Sequence, residues 1–120
     1  MAYAINSAGA VTGYYADANG LEHGFLRYPA GTFTSFDPPG AAEGTFAYGI
    51  NPAGAITGFY MDESYAGHGF LRGPSGNFTN FNAPGAGVAG TTGNSINDEG
   101  AITGFYQDTS NVTHGFLLTP

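Results

Sequence analysis

The chain has no cysteine and no tryptophan, and its only cations are Arg27 and Arg72. Without cysteine there is no disulfide pattern, and the redox compartment leaves no mark. Two cations against 9 acidic residues give a net charge of −7. A surface of that sign repels phosphate backbones and anionic headgroups, so neither nucleic acid nor a membrane is expected as a partner. No apolar run approaches the ~18–20 residues of a membrane span. No basic stretch followed by an apolar run opens the chain, so no signal peptide is expected within it. Charge of either sign is scarce, at 9%, against roughly 25% in an ordinary domain. Yet 42% of residues are apolar and recur on schedule, which argues for packing and against disorder. Glycine falls too often for helices of ordinary length, and no helical stripe is present. No nucleophile elbow, cofactor loop or metal cluster appears, so neither an enzyme nor a cofactor is expected.

What is present is a threefold repeat. Ile5-Asn6-Ser7-Ala8-Gly9-Ala10-Val11-Thr12-Gly13-Tyr14-Tyr15 returns from Ile50 to Tyr60 and again from Ile96 to Tyr106, at spacings of 45 and 46. A period of that size marks units that bury their apolar faces only against neighbours. The chain reads as one domain with repeats at 1–44, 45–90 and 91–120, the last incomplete.

Each unit divides into short runs separated by turn chemistry. The first leads into Ile5, or runs from Phe46 to Ile50 or Thr92 to Ile96. An Asn-x-x-Gly turn follows, then a strand at Ala10 to Asp17, Ala55 to Asp62 or Ala101 to Asp108. The third run spans His23 to Tyr28, His68 to Gly73 or His114 to Thr119. A Pro-x-Gly turn leads to the fourth, Thr32 to Phe36 or Asn77 to Phe81. Such runs predict an antiparallel meander. Glycines inside strands, such as Gly13, Gly58 and Gly104, mark bulges or a close backbone approach. Four strands in about 45 residues is the dimension of a β-propeller blade.

The unit Ile-Asn-x-x-Gly-x-Ile/Val-Thr-Gly-x-Tyr, then His-Gly-Phe-Leu, then Phe-Thr-x-Phe-x-x-Pro-Gly-Ala resembles the HAF-type extracellular repeats of bacterial proteins. The family's His-Ala-Phe has glycine in the middle here, as in His23-Gly24-Phe25. The resemblance covers essentially the whole chain. It implies a secreted or surface-exposed repeat protein of propeller type and carries no activity with it. Family members look like longer arrays than these three units.

The expected fold is therefore all-β: a propeller segment of three four-stranded antiparallel blades, the last lacking its fourth strand. Propellers close with four to eight blades. Three blades leave two apolar faces open, and such faces are association sites. The expected partner is a second copy, joined head to tail into six blades, with a nine-bladed trimer as the alternative.

Asp17 and His23 recur in register as Asp62 and His68, and as Asp108 and His114. A hairpin sets each pair across from one another. The favoured reading is a structural brace, with metal ligation and Asp–His catalysis as the sharper alternatives. Asp17-Ala18-Asn19-Gly20 faintly resembles a calcium loop but lacks the remaining ligands. Phe25, Phe70 and Phe116 read as core, as do Leu26, Leu71 and Leu117. In Tyr14-Tyr15, Phe59-Tyr60 and Phe105-Tyr106, neighbouring rings point to opposite faces. Tyr15, Tyr60 and Tyr106 are thus candidates for stacking on a sugar, with Asn and Asp nearby to take hydroxyls. A non-enzymatic, lectin-like module and a purely structural scaffold are the two functional expectations.

Overall fold

The Asn-x-x-Gly turns close in the same way three times. The Gly9, Gly54 and Gly100 N–H groups bond the carbonyls of Asn6, Asn51 and Asn97 at 3.0–3.1 Å. Those glycines sit at φ of +89°, +92° and +90°, where a side chain is strained. The asparagine Oδ1 accepts the N–H of Ala10, Ala55 or Ala101 at 2.8–2.9 Å, which launches the next strand. Local chemistry therefore sets the first hairpin of every unit.

The computed structural model describes residues 1–120 and contains eleven strands and no helix. The first sheet holds β1 (Ala2–Ile5), β2 (Val11–Ala16), β3 (Glu22–Arg27) and β4 (Phe33–Phe36) in that order. The second holds β5 (Thr45–Ile50), β6 (Ile56–Met61), β7 (Gly67–Arg72) and β8 (Phe78–Phe81), again in chain order. The third has three strands, β9 (Ala86–Ile96), β10 (Ile102–Asp108) and β11 (Thr113–Leu118). All pairings are antiparallel. The sheets are open, and no closed barrel or ring forms within the chain.

Most strand ends lie within a residue of expectation, because the flanking residues close turns instead. Tyr28, for example, bonds the Thr32 carbonyl across the Pro29-Ala30-Gly31 turn. The larger difference is β9. The sequence placed it at Thr92 to Ile96, and it begins at Ala86. Pro38-Pro39 of the first linker becomes Ala83-Pro84 here, and one more residue separates Asn82 from Gly90 than Asp37 from Gly44. With one proline fewer the linker extends, and Ala86 pairs with Asp108 at the end of β10.

The mid-strand glycines have a physical cause. A Cβ on Gly13, Gly58 or Gly104 would fall on the carbonyl oxygen of Met1, Phe46 or Thr92 in the adjacent strand. The pairing is irregular at the same place in each sheet, between Ala2 and Ala4, Ala47 and Gly49, and Thr103 and Gly104. These are bulges that draw the two backbones together.

The sheets stack face to face, because each strand presents alternate residues to each side. Ala10, Leu26 and Phe36 from the rear of the first sheet meet Ala47, Ile50, Ile56 and Phe70 from the front of the second. The Phe36 ring lies 6.1 Å from Phe70 and 6.0 Å from Phe78. The second junction repeats the arrangement. Ala55, Leu71 and Phe81 meet Ile96, Ile102 and Phe116, with Phe81 5.9 Å from Phe116.

Candidate functional site

The three in-register Asp–His pairs form alike. Each aspartate sits at the start of the turn joining the second and third strands of its sheet. Its Oδ1 accepts two backbone N–H groups: Asn19 and Leu21 for Asp17, Ser64 and Ala66 for Asp62, Ser110 and Val112 for Asp108. Its Oδ2 lies 2.8 Å from Nε2 of His23, His68 or His114. Asp17-Ala18-Asn19-Gly20 is thus a turn closed by its own carboxylate. The histidine hydrogen bond, followed by the backbone N–H donors, holds Asp17 and Asp62 below the usual carboxylate range, and Asp108 likewise.

A third residue joins the pair, which sequence reasoning missed. His23 Nδ1 lies 2.8 Å from Asp37 Oδ2, and His68 Nδ1 lies 2.8 Å from Asn82 Oδ1. Asp37 and Asn82 follow the last phenylalanine of β4 and β8 at the same repeat position, which was the available signal. Asp37 also accepts the Thr45 hydroxyl at 2.6 Å, tying the first sheet to the second. Flanked by Asp17 first and Asp37 second, His23 is pushed above its ordinary range. Both of its ring nitrogens are occupied, as are those of His68. Neither has a lone pair free for a metal or a proton-transfer partner.

Tyr15, Tyr60 and Tyr106 share a repeat position but not an environment. Tyr60 is 5% exposed, inside the first junction, and accepts the Asn80 amide at 3.3 Å. Its ring is enclosed, and of the three only Tyr15 and Tyr106 present ring surface to solvent. Tyr15 is 42% exposed, with its hydroxyl 2.8 Å from Ser35 Oγ. Tyr106 is half-buried and stacks on His114 at 5.0 Å. Arg72 is buried, with its guanidinium 5.2 Å above the Phe36 ring and Nε and Nη1 unpartnered.

A second feature that sequence reasoning missed is a ladder of asparagines. Asn6 Nδ2 donates to the Asn51 carbonyl at 3.1 Å, and Asn51 Nδ2 donates to the Asn97 carbonyl at 3.1 Å. Each rung crosses a junction between sheets. Asn97 Nδ2 has no further sheet to reach and lies 3.4 Å from Glu99 Oε2 of its own turn. At the other end, the Asn6 carbonyl accepts only the Gly9 N–H. The ladder thus ends in a donor and an acceptor that have no partner on another sheet.

The residues at the two outer faces are those the junctions bury. Ile50 and Ile96 are 9% and 8% exposed, and their counterpart Ile5 on the outer face of the first sheet is 68% exposed. Leu26 is 5% exposed, and its counterpart Leu117 on the outer face of the third sheet is 65% exposed. The rings of Tyr15, Phe25 and Phe33 line a depression of about 410 Å³ on the first sheet. Comparison with family models, with curated proteins and with solved structures finds no match to this chain.

Proposed function

We propose that the chain is a non-enzymatic, self-assembling segment of a β-propeller, in which each sheet is a blade. Copies join head to tail, the rear of the third sheet on the front of the first. Two copies then complete six blades, and three copies complete nine. The observation that carries this reading is the contrast between Ile5 or Leu117 and their buried counterparts. A third junction built like the first two would cover both. The asparagine ladder supports the same direction, since Asn97 of one copy can donate to the Asn6 carbonyl of the next.

The Asp–His pairs act as braces in this reading. Their partners are spent on turns and linkers, and no hydroxyl lies within bonding distance of a histidine nitrogen. The HAF-like motifs suit a secreted or surface-displayed array, and a purely structural scaffold is the companion reading.

Light scattering coupled to size exclusion tests the assembly. The expected mass is two or three times the 12.3 kDa of the chain. Leu117→Asp, at an exposed position, is expected to leave a folded monomer and to weaken association ~10- to 100-fold, from the lost burial of one leucine. A wild-type monomer at all accessible concentrations overturns the reading.

A further inference from the structure

The two junctions differ at one place. At the first, Phe46 packs its ring 4.9 Å from Tyr14, and Tyr48 packs 4.9 Å from Tyr3, so aromatic rings fill the space. One repeat later those positions are Thr92 and Asn94, and Met61 becomes Gln107. Three large apolar or aromatic side chains are replaced by polar ones, all on the same wall. The facing wall keeps its rings, Tyr48 and Phe59, 6.0 Å apart. The result is a groove of about 340 Å³ lined chiefly by Tyr48, Phe59, Thr92, Asn94, Phe105 and Gln107.

We propose that this groove is a binding site for a neutral carbohydrate. Tyr48, Phe59 and the exposed edge of Phe105 offer rings to the apolar face of a pyranose. Asn94 and Gln107 each bring an amide able to donate and accept, which matches vicinal hydroxyls. No charged side chain lines the groove, so a sulfate or uronate finds no partner, and the overall charge of −7 repels it. The site lies apart from Tyr15, Tyr60 and Tyr106. It keeps the lectin-like reading but not the ring closure, because both walls belong to one chain.

The test is titration of the ¹⁵N-labelled protein with three neutral disaccharides: β1,4-linked glucose, α1,4-linked glucose and β1,4-linked galactose–glucose. Saturable shifts are expected for at least one, centred on the Asn94 and Gln107 side-chain amides. The Thr92→Phe, Asn94→Tyr double variant rebuilds the filled junction and is expected to weaken binding at least tenfold. Gln107→Met removes one amide with less risk to the fold and is expected to weaken binding severalfold. Repeating the titration on monomeric Leu117→Asp separates this site from assembly, and its affinity is expected to be unchanged. No saturable shift with any of the three sugars overturns the proposal. So does wild-type affinity in Gln107→Met, or shifts centred on Tyr15, Phe25 and Phe33.

Discussion

Replacing Asn51 by alanine tests the ladder most directly. Asn51 is 4% exposed and stands between both junctions. Its Oδ1 accepts the Ala55 N–H at 2.9 Å, and its Nδ2 donates to the Asn97 carbonyl at 3.1 Å. Alanine removes both bonds. The Ala55 N–H is left buried without a partner, which costs about 1–3 kcal/mol, and the lost rung adds about 1 kcal/mol. The expected loss is thus about 2–4 kcal/mol, a large share of the ~5–15 kcal/mol of a typical domain. Asn97→Ala removes two turn bonds, from the Glu99 and Ala101 N–H groups, at an exposed site where water replaces them. Its expected cost is about 0.5–1 kcal/mol.

Urea unfolding followed by tyrosine fluorescence measures both, at concentrations where light scattering shows monomer. Asn51→Asp separates the two roles of the side chain. It keeps the acceptor for Ala55 and removes the donor to Asn97. If the rung matters, aspartate fails to restore stability, because a carboxylate then faces the Asn97 carbonyl. If Asn51 serves only its turn, aspartate restores it. Equal costs for Asn51→Ala and Asn97→Ala in the monomer, or full rescue by aspartate, would refute the ladder. At higher concentration the Asn97→Ala cost is expected to grow, since the proposed assembly would give Asn97 a carbonyl to reach.

Gly58→Ala places a Cβ on the Phe46 carbonyl in the middle of the second sheet. It is expected to cost more than about 2 kcal/mol, and a urea midpoint near wild type would contradict the bulge argument. Phe70, fully buried at the first junction, is expected to cost about 3–5 kcal/mol as alanine. Its counterpart Phe25, on the outer face, is expected to cost clearly less in the monomer, and equal losses would count against the stacking order. The pH dependence has two limbs. Asp17, Asp62 and Asp108 titrate low when folded, so their contribution is present above the unfolded carboxylate range and is lost as pH falls through the folded values. His23 titrates high, so its contribution is complete below the unfolded histidine range and is lost as pH rises through the folded value. Asp37→Asn is expected to bring the His23 titration down, and an unchanged imidazole titration by NMR would remove Asp37 as a cause.

The parts legible in the sequence are those set by near neighbours along the chain. Asn6 and Gly9, or Asp17 and His23, meet through a single turn, and a spacing of three or six residues is enough to place them. The same locality makes the strand order within each sheet readable, and it marks Gly58 as the close approach where the bulge lies. The start of β9 departs from the repeat register where Ala83 stands in place of the first linker's Pro38. The Asn6–Asn51–Asn97 ladder and the Asp37–Thr45 bond were not readable, although every residue in them was in register. Their partners come from the stacking of one sheet on the next, which no spacing along the chain reports.

Repetition also hides what differs between equivalent residues. Tyr15, Tyr60 and Tyr106 carry the same motif, yet only Tyr60 is walled in by a neighbouring sheet on each side of its own. Position in the stack therefore decides whether a residue is core or surface, and a motif cannot encode it. The reverse also holds. Where repeats depart from one another, the departure is free of the demands that all units share. Phe46 and Tyr48 becoming Thr92 and Asn94 removes packing from a junction the first two sheets show can be filled with rings. Filling that junction would serve stability, so leaving it open and polar at about 340 Å³ costs packing for which the fold alone supplies no return. Restoring the rings with Thr92→Phe and Asn94→Tyr should then raise the urea midpoint while removing the groove. A stabilised protein that no longer binds sugar is the outcome this reasoning requires, and a destabilised one would show that the polar wall is packed for the fold itself.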